Sequence, residues 1–353
     1  MFDLASPGLV RWRTREPSAI LVITFNFQLS TPNMLDLKPI KIAIRQAALL
    51  TRQVQAQHLG DAAHKAGHEP VTLADYGAQA ILARALSFAY PDDGVYSEES
   101  AAQFLELVTP ERRTAIVALV GNILGEPVTE SDLVRWLDHG RGRETMRMWT
   151  VDPVDGTKGF VAGRRYAVAV GAMEDGLPVA GLLACPGWPS RDGKGALFYA
   201  QRSAAYAESL AGGKPVRIAV RPLPGLSGIR VAESVEGDHV DHAAQARILA
   251  AAGLNRPVIQ QVDGQDKYAM VAAGEAQIYL RLPKEAQPRH RIWDHLAGAA
   301  LVQAAGGSVT DLDGSLLDFS RGPILTANRG MVVTCGGALH ERLLEAIETV
   351  FPV

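Results

Sequence analysis

The centre of the chain reads Met148-Trp149-Thr150-Val151-Asp152-Pro153-Val154-Asp155-Gly156-Thr157-Lys158-Gly159-Phe160. Its first part predicts the end of a strand at residues 149–151, because aromatic and β-branched side chains fit a pleated, half-buried surface. Two carboxylates, Asp152 and Asp155, then flank a proline that fixes the local backbone. Gly156 follows, and a glycine lets the chain bend and bring backbone N–H groups close to a ligand. We therefore expect a strand that leads directly into a binding loop.

The oxygen atoms and N–H groups of this loop suit a metal and a phosphate. Asp152, Asp155 and the Val154 carbonyl are hard oxygen ligands, which favour Mg²⁺ over zinc or copper. The N–H groups of residues 156–158 are placed to hold a phosphate, as helix starts and backbone nests do. On its own, however, Asp-Gly between apolar runs also indicates an ordinary hairpin turn, so this stretch leaves both interpretations open.

Size and composition narrow the classes of protein to consider. The 353 residues suffice for two domains or one large one. The net charge of -3 gives no basic excess, so the sequence does not indicate nucleic-acid binding. Cys185 and Cys335 are the only cysteines, which excludes a disulfide framework or a cysteine-rich zinc site and fits a reducing cytoplasm. No uninterrupted apolar run approaches the length of about 20 residues that a membrane span needs.

The N-terminal segment differs in character from the rest. Arginines at positions 11, 13 and 15 precede an apolar stretch at residues 19–27. That stretch is short and Leu29-Ser30-Thr31-Pro32 is a poor cleavage site, which argues against a signal peptide and leaves an organelle transit peptide as a weaker alternative. We expect residues 1–33 to be a dispensable, disordered extension, with native translation starting at Met34.

Hydrophobic periodicity predicts two domains. Residues 34–213 are interpreted as an N-terminal α+β, metal-binding domain, with helices at 35–59 and 72–90, a helical insertion at 101–147 and antiparallel strands between 166 and 207. From Pro215 strands alternate with helices, beginning with a strand at 216–220. This alternation predicts a C-terminal α/β, substrate-binding domain over residues 214–353, with the boundary near Gly213.

Acidic residues recur at predicted strand ends and helix starts, namely Asp75, Glu98-Glu99, Asp152 with Asp155, and Asp294. Taken singly, Asp75 and Asp294 are also explained by the preference for acids in the first turn of a helix. Gathered together, such carboxylates repel each other unless cations lie between them. Phosphate ester hydrolysis needs this arrangement, because metal ions offset the phosphate charge, acidify a bound water and stabilise the leaving oxygen of an in-line displacement.

A basic loop, Gly140-Arg141-Gly142-Arg143, lies at the end of the predicted insertion. It lacks the third glycine and the preceding strand of a dinucleotide fingerprint. The sequence leaves two interpretations of this loop open, a basic lid over an anionic substrate or an ordinary solvated loop.

Motifs in both halves of the chain carry a resemblance to a known family. They are Asp152-Pro153-Val154-Asp155-Gly156-Thr157, Trp293-Asp294-His295-Leu296-Ala297-Gly298 and Ala305-Gly306-Gly307. With them the chain resembles, from about residue 35 to residue 350, the lithium-sensitive, Mg²⁺-dependent phosphatases of the inositol monophosphatase superfamily. Gly156-Thr157-Lys158-Gly159-Phe160 and Tyr279-Leu280-Arg281-Leu282-Pro283 bring the resemblance nearest to the 3′(2′),5′-bisphosphate nucleotidases, which convert 3′-phosphoadenosine 5′-phosphate into AMP.

The resemblance implies a fold, an activity and a cellular setting. The fold would be α/β (α+β), a layered αβαβα sandwich of the inositol monophosphatase and fructose-1,6-bisphosphatase type. The activity would be Mg²⁺-dependent hydrolysis of the 3′-phosphate of 3′-phosphoadenosine 5′-phosphate, with the sulfated nucleotide as a further candidate substrate. The protein would act in the cytoplasm, in sulfur assimilation, as a monomer or weak homodimer without nucleic-acid or membrane partners.

The resemblance also implies roles for individual residues. Two or three Mg²⁺ ions would be held by Glu98, Asp152, the Val154 carbonyl, Asp155 and Asp294. Asp75 and Thr157 would orient and deprotonate the attacking water, while Glu99 would lie just behind the ligands. The scissile phosphate would be held by Asp155, Gly156 and Thr157. The nucleotide would be bound by His239, Gly264, Lys267 and Arg281. Of these, the cationic Lys267 and Arg281 suit a second phosphate and stacking on a base.

Two departures from the family pattern and two rival functions complete the interpretation. Gly264 stands where similar enzymes carry a serine that contacts the nucleotide, and Gln303-Ala304 replaces the acidic residue that often precedes Ala-Gly-Gly.

An inositol phosphate or sugar bisphosphate phosphatase would keep the metal ligands but would have no need of a base-binding pocket. A catalytically silent nucleotide or metal sensor would have no need of both Asp75 and Thr157.

Overall fold

The computed structural model describes residues 35–57, 63–64, 70–71, 73–201, 203–235, 241–283 and 290–351. The predicted extension over residues 1–33 and the candidate nucleotide ligand His239 lie outside the described residues, so both stay predictions. A two-stranded antiparallel sheet, β1 (Ala63–His64) with β2 (Pro70–Val71), precedes the two larger sheets.

The larger sheet has seven strands, hydrogen-bonded to one another in chain order within the described residues. They are β3 (Gly94–Ser97), β4 (Arg147–Asp155), β5 (Ala167–Glu174), β6 (Leu177–Cys185), β7 (Ala196–Gln201), β8 (Ala204–Ser209) and β9 (Val216–Ile218). β3 and β4 are parallel, and every later pair is antiparallel. The antiparallel sheet expected from residues 166–207 is therefore confirmed, and it gains β3, β4 and β9.

The strand β9 corrects the sequence interpretation, which assigned residues 216–220 to the C-terminal domain. Val216 pairs with Ala207 of β8, so this segment closes a hairpin at the edge of the larger sheet. The reason is local, because Gly212 and Gly213 both have positive φ angles, 95° and 134°, and turn the chain back beside β8. The division of the chain near Gly213 is a prediction that these pairings do not decide.

The smaller sheet has five strands in the order β11-β10-β12-β14-β13. They are β10 (Arg230–Glu233), β11 (Val258–Gln261), β12 (Ile278–Arg281), β13 (Ser308–Thr310) and β14 (Met331–Thr334). β10 is parallel to β11 and β12, as expected of alternating strands and helices, whereas β14 is antiparallel to both of its neighbours.

Ten α-helices and one 3-10 helix occur among the described residues. They are α1 (Lys38–Ala56), α2 (Leu73–Ala89), α3 (Ala101–Leu107), α4 (Pro110–Leu124), α5 (Glu130–Leu137), α6 (Thr157–Val161), α7 (His242–Ala251), α8 (Asp266–Ala272), α9 (Leu296–Ala304), α10 (Ala338–Val350) and the 3-10 helix Ile292–Asp294. In the described part of the chain, no helix has both the length and the apolar character needed to cross a membrane.

These elements stack as five layers. α1 and α2 cover one face of the larger sheet, and α8 and α9 lie between the two sheets. α7 and α10 cover the outer face of the smaller sheet, while α4 and α5 of the helical insertion pack beside α2. The expected αβαβα sandwich is therefore confirmed, and Leu37–Val353 pack as one compact unit. The layering explains why α1 buries only one face, with Ile40, Ile44 and Leu50, whereas α2 is buried almost all round.

Two glycines let α9 approach the larger sheet closely. A Cβ atom on Gly181 of β6 would overlap the backbone carbonyl of Ala297, and one on Gly171 of β5 would lie 3.0 Å from the Ala297 nitrogen. The backbone of α9 therefore lies directly on β5 and β6, where a larger residue would push it away. This contact matters for the site, because Asp294 stands two residues before α9 begins.

The buried histidine of α10 generates a prediction about pH and stability. His340 lies between Thr310 Oγ1, 3.1 Å from Nε2, and Thr334 Oγ1, 2.9 Å from Nδ1. Burial lowers its pKa to about 4. An unfolded histidine titrates near pH 6.5. Between about pH 6.5 and 4 the unfolded chain therefore binds a proton at this histidine that the folded protein does not bind. Stability should therefore fall as the pH drops through this window.

Between pH 7 and pH 5 the wild type should lose about 2 kcal/mol more unfolding free energy than the His340→Gln variant. The variant lacks this loss because glutamine does not titrate. Urea unfolding of both proteins at several pH values measures this difference. If the difference in unfolding free energy between the two proteins does not change with pH, the lowered pKa of His340 is contradicted.

Candidate active site

A β-bulge brings Asp152 and Asp155 to the same face of the larger sheet. Asp152 pairs with Ala169 of β5, and Asp155 pairs with Ala167, so β4 spans three residues where β5 spans two. Alternate residues of a strand share a face, so Ala167 and Ala169 point the same way and their partners do too. The predicted strand end at residue 151 was therefore too early, since β4 continues through Asp155 in this irregular form.

The end of β4 opens into a pocket that combines residues from distant parts of the chain. Ten of the residues predicted for the site line it: Glu98, Asp152, Val154, Asp155, Gly156, Thr157, Gly264, Lys267, Arg281 and Asp294. The pocket therefore joins the strand ends of the larger sheet to β12 and to the start of α8 in the other half of the chain.

Burial and then neighbouring charges determine the electrostatics of the acidic residues. The pKa of Asp152 is raised well above its ordinary value, first by burial and then by four neighbouring carboxylates, Glu98, Asp155, Asp294 and Asp75. Asp75 does not line the pocket, but this effect places its charge close to Asp152. Burial also raises the pKa of Asp155 to about 6, although nearby cations oppose the shift. Acids from β4 itself and from three other segments of the chain therefore lie near the carboxyl group of Asp152.

Glu99 and Asp75 lie behind the pocket wall. Both side chains are buried. The pKa of Tyr76 on α2 is raised first by its own burial and then by the charges of Glu99 and Asp75, so these acids lie close to it. Glu99 therefore lies on the side of α2, and its place directly behind the metal ligands stays a prediction.

The donor atoms suit Mg²⁺ that is shared with a phosphate. In the residues that the structure describes, no three His, Cys, Asp or Glu side chains are arranged to hold a metal ion by themselves. Proteins hold Mg²⁺ through one or two carboxylates and leave the remaining positions to water and substrate phosphate, so a closed cage is not expected. The buried Oδ1 of Asp152 accepts no hydrogen bond from these residues, and it is therefore an oxygen that a cation would satisfy.

The turn after Asp155 holds the predicted phosphate loop in a defined shape. Gly156 has φ +92° and begins the short helix α6. The Thr157 hydroxyl donates a hydrogen bond to the Val154 carbonyl over 3.0 Å. Because a carbonyl oxygen has two lone pairs, Val154 keeps one for a further partner.

The opposite side of the pocket is cationic. Lys267 is buried, its Nζ atom donates to the Val262 carbonyl over 3.3 Å, and it lies 5.5 Å from the centre of the Tyr279 ring. Burial lowers the pKa of Lys267 to about 8, so the amine stays mostly protonated at pH 7. Arg281, at the end of β12, faces the same space. The pocket therefore has an acidic half and a basic half.

The glycine at position 264 has a structural explanation. Its φ is +62°, and a Cβ atom there would overlap the carbonyl oxygen of Asp155. The same loop touches Gly156, where a Cβ atom would lie 2.9 Å from the Gly264 nitrogen. Two glycines thus let residues 263–265, called the nucleotide loop after their predicted role, pack directly against residues 155–157, the predicted phosphate loop. The other departure, Gln303-Ala304, lies at the end of α9 and does not line this pocket.

The sequence interpretation missed the residues that hold Glu98 in place. Gln79, one turn after Asp75 on α2, exchanges two hydrogen bonds with the backbone of Glu99, over 2.7 and 2.8 Å. Arg141 donates to the Ser97 hydroxyl over 3.2 Å and to the Glu99 carbonyl. Arg141 therefore braces the end of β3. Residues 141–143 are exposed, which agrees with an ordinary solvated loop, and the lid over a substrate stays a prediction. An amide among the apolar residues of a helix was the available signal for Gln79.

Two further residues on the pocket wall had no predicted role. Burial lowers the pKa of His295 well below its ordinary value, so its ring is neutral. Its Nδ1 atom lies 2.9 Å from the Tyr268 hydroxyl, and its buried Nε2 atom has no hydrogen-bond partner among the described residues. His295 was visible in the sequence only as the neighbour of Asp294.

Comparison with known proteins finds bisphosphate nucleotidases among the relatives of this chain. The chain is 33% identical over 343 residues to the 3′(2′),5′-bisphosphate nucleotidase of Emericella nidulans, covering 88% of this chain and 96% of that protein. It is 36% identical to the probable 3′(2′),5′-bisphosphate nucleotidase 4 of Arabidopsis thaliana, covering 88% of this chain and 94% of that protein.

Comparison with solved structures supports the fold. The extragenic suppressor protein suhB from Bartonella henselae matches with a TM-score of 0.62 at 20% identity, covering 88% of this chain and 98% of that one. A sequence model of the inositol monophosphatase family matches residues 36–350, which include every described segment of the site. The chain belongs to the inositol monophosphatase family.

Proposed function

We propose that this protein is a Mg²⁺-dependent phosphomonoesterase that removes the 3′-phosphate of 3′-phosphoadenosine 5′-phosphate in the cytoplasm, giving AMP and phosphate. The observation that carries the proposal is the pocket with two unlike halves. Its acidic half suits metal ions and the scissile phosphate, and its basic half suits a second anionic group on the same substrate. The names of the curated relatives support the same substrate.

In the proposed reaction the acidic half of the pocket would bind the metal ions and orient the water and the scissile phosphate. Glu98, Asp152, Asp155, Asp294 and the Val154 carbonyl would hold two or three Mg²⁺ ions. Bound Mg²⁺ would offset the charge of the phosphate and acidify a water molecule. Asp75, whose charge acts on Asp152, is the base that would accept the proton of the attacking water as it displaces the 3′-oxygen from phosphorus in line. The departing oxygen would take a proton from solvent and become the 3′-hydroxyl of AMP. The Thr157 hydroxyl would orient the water, and the Gly156 and Thr157 backbone would hold the phosphate.

The basic half would fix the nucleotide. Lys267 and Arg281 present buried positive charge, which suits the 5′-phosphate because charge-assisted hydrogen bonds are stronger away from water. Gly264 would let the nucleotide lie close to the backbone, and His239, outside the described residues, is the remaining proposed contact. An inositol monophosphate has no second phosphate with which to occupy this half.

A substrate panel tests the assignment. We expect phosphate release with Mg²⁺ to be fastest for 3′-phosphoadenosine 5′-phosphate, slower for inositol 1-phosphate, and inhibited by Li⁺. The sulfated nucleotide and a sugar bisphosphate belong in the same panel. Equal or faster turnover of inositol 1-phosphate would remove the nucleotidase assignment, and no turnover of any phosphate ester would favour the silent sensor.

Replacement of one acid tests the metal half. Asp152→Asn should lower kcat by at least about 100-fold, since a metal contributes several kcal/mol to the transition state and each 1.36 kcal/mol is a factor of ten. Its metal-free Tm should not fall, because a repelling charge has been removed. Asp92→Asn, at an exposed turn, is the matched control and should leave both quantities unchanged. Normal turnover of the Asp152 variant would overturn the assignment.

The glycine of the nucleotide loop gives a third test. Gly264→Ser should not add a useful nucleotide contact here, because its Cβ atom overlaps the Asp155 carbonyl and its φ is positive. We expect destabilisation by at least about 1 kcal/mol from the left-handed backbone alone, together with a lower kcat. Thermal unfolding and steady-state kinetics measure the two effects. A lower KM at unchanged Tm would instead mean that the loop moves to accept the serine.

A further inference from the structure

The side chain of Gln265 lies between the two segments that carry Asp155 and Asp294. It is almost completely buried. Its amide nitrogen donates to the Trp293 carbonyl over 2.9 Å, and its amide oxygen accepts from the Gly298 N–H over 3.0 Å. The loop also packs against Asp155, since a Cβ atom on Gly264 would overlap the Asp155 carbonyl, and the side-chain amide and backbone N–H of Gln265 act to lower the pKa of the Asp155 carboxylate against the effect of burial.

These contacts connect both acids through one neutral group. Trp293 is the residue directly before Asp294, so the bond to its carbonyl fixes the backbone from which the Asp294 side chain extends. Gly298 lies in the first turn of α9, so the bond to its N–H holds the start of that helix. A glutamine amide has two donor hydrogens, so one remains to face Asp155 while the other binds the Trp293 carbonyl. Gln265 therefore stands between the segments that carry Asp155 and Asp294.

The loop that carries Gln265 is itself held on both sides. Before it, Asp263 pairs with Arg164, whose Nε lies 2.8 Å from the carboxylate. After it, the fully buried Asp266 pairs with Arg165 over 2.6 Å. Both arginines follow α6, so the nucleotide loop is joined to the phosphate loop by two ion pairs. A support fixed in this way gives the amide little freedom to follow a displaced carboxylate.

We propose that Gln265 is a positioning residue that sets the spacing of Asp155 and Asp294 for metal binding. This inference rests on the proposed function, since it requires those two acids to be metal ligands. A neutral amide suits the task because it orients carboxylates without adding a charge that would compete with the cation. Outer hydrogen-bond partners of this kind change metal affinity by roughly 10- to 100-fold when they are removed.

A purely structural role for the amide makes a different prediction, and the chain offers a matched control. Gln277 is also fully buried, accepts from the Arg230 N–H over 3.0 Å and donates to the Arg221 carbonyl over 3.3 Å. It does not line the pocket. Gln265→Met and Gln277→Met thus remove the same chemical group from similarly buried positions, but only the first removes it from the acids.

The experiment measures binding of Mg²⁺ and Mn²⁺ to the full chain by isothermal titration calorimetry without substrate, together with Tm and the Mg²⁺ concentration for half-maximal activity. We expect both variants to lower Tm. Only Gln265→Met should weaken metal binding, by roughly 10-fold or more, with a matching rise in the Mg²⁺ requirement. Should that variant fail to fold, Gln265→Asn against Gln277→Asn asks the same question, because a shorter amide cannot reach all three partners.

The outcomes separate the inference from the function beneath it. Unchanged metal affinity in a folded Gln265 variant, or an equal loss in the Gln277 variant, would overturn the positioning role. If the wild type and Asp152→Asn bind metal equally weakly, the proposed metal site itself fails, whatever Gln265 does.

Discussion

Repulsion among buried carboxylates is the constraint on which the rest of the site depends. Burial raises the pKa of both Asp152 and Asp155, and for Asp152 the charges of Glu98, Asp155, Asp294 and Asp75 raise it further. A flexible chain would relieve this repulsion by moving the acids apart. Here they are attached to rigid parts of three layers: a bulged strand of the larger sheet, the first turn of α2, and the segment before α9. The fold therefore holds together charges that would otherwise separate.

The groups that resist this repulsion in the acidic half are mostly neutral. Gln79 fixes the Glu98 segment through the backbone of Glu99, and Gln265 holds the residues on either side of the Asp294 segment through Trp293 and Gly298. Amides can donate and accept at once, so they orient a strand end without neutralising the acids that a metal needs. The cations, buried Lys267 and half-buried Arg281, lie on the other side of the pocket. This separation of neutral supports from cations gives the pocket its two chemical characters.

The sequence was most informative where the cause of structure is local. The apolar face of α1 and the acids of the central motif could be read directly, because each depends on near neighbours in the chain. The strand β9 was assigned to the wrong part of the molecule, since its pairing depends on a turn rather than on its own residues. Gln79 and Gln265 were missed because they are uncharged and act on residues 20 or more positions away. Neutral side chains with distant partners leave no periodic or charge signal.

The bulge in β4 has a consequence for how this site can change during evolution. Because three residues of β4 oppose two of β5, Asp152 and Asp155 face the same way only while two residues separate them. Pro153 and Val154 can be exchanged without altering that count, and Val154 contributes only its backbone carbonyl to the proposed site. Gain or loss of one residue would turn Asp155 toward the opposite face. The length of this segment therefore constrains the arrangement of the two acids more than its composition does.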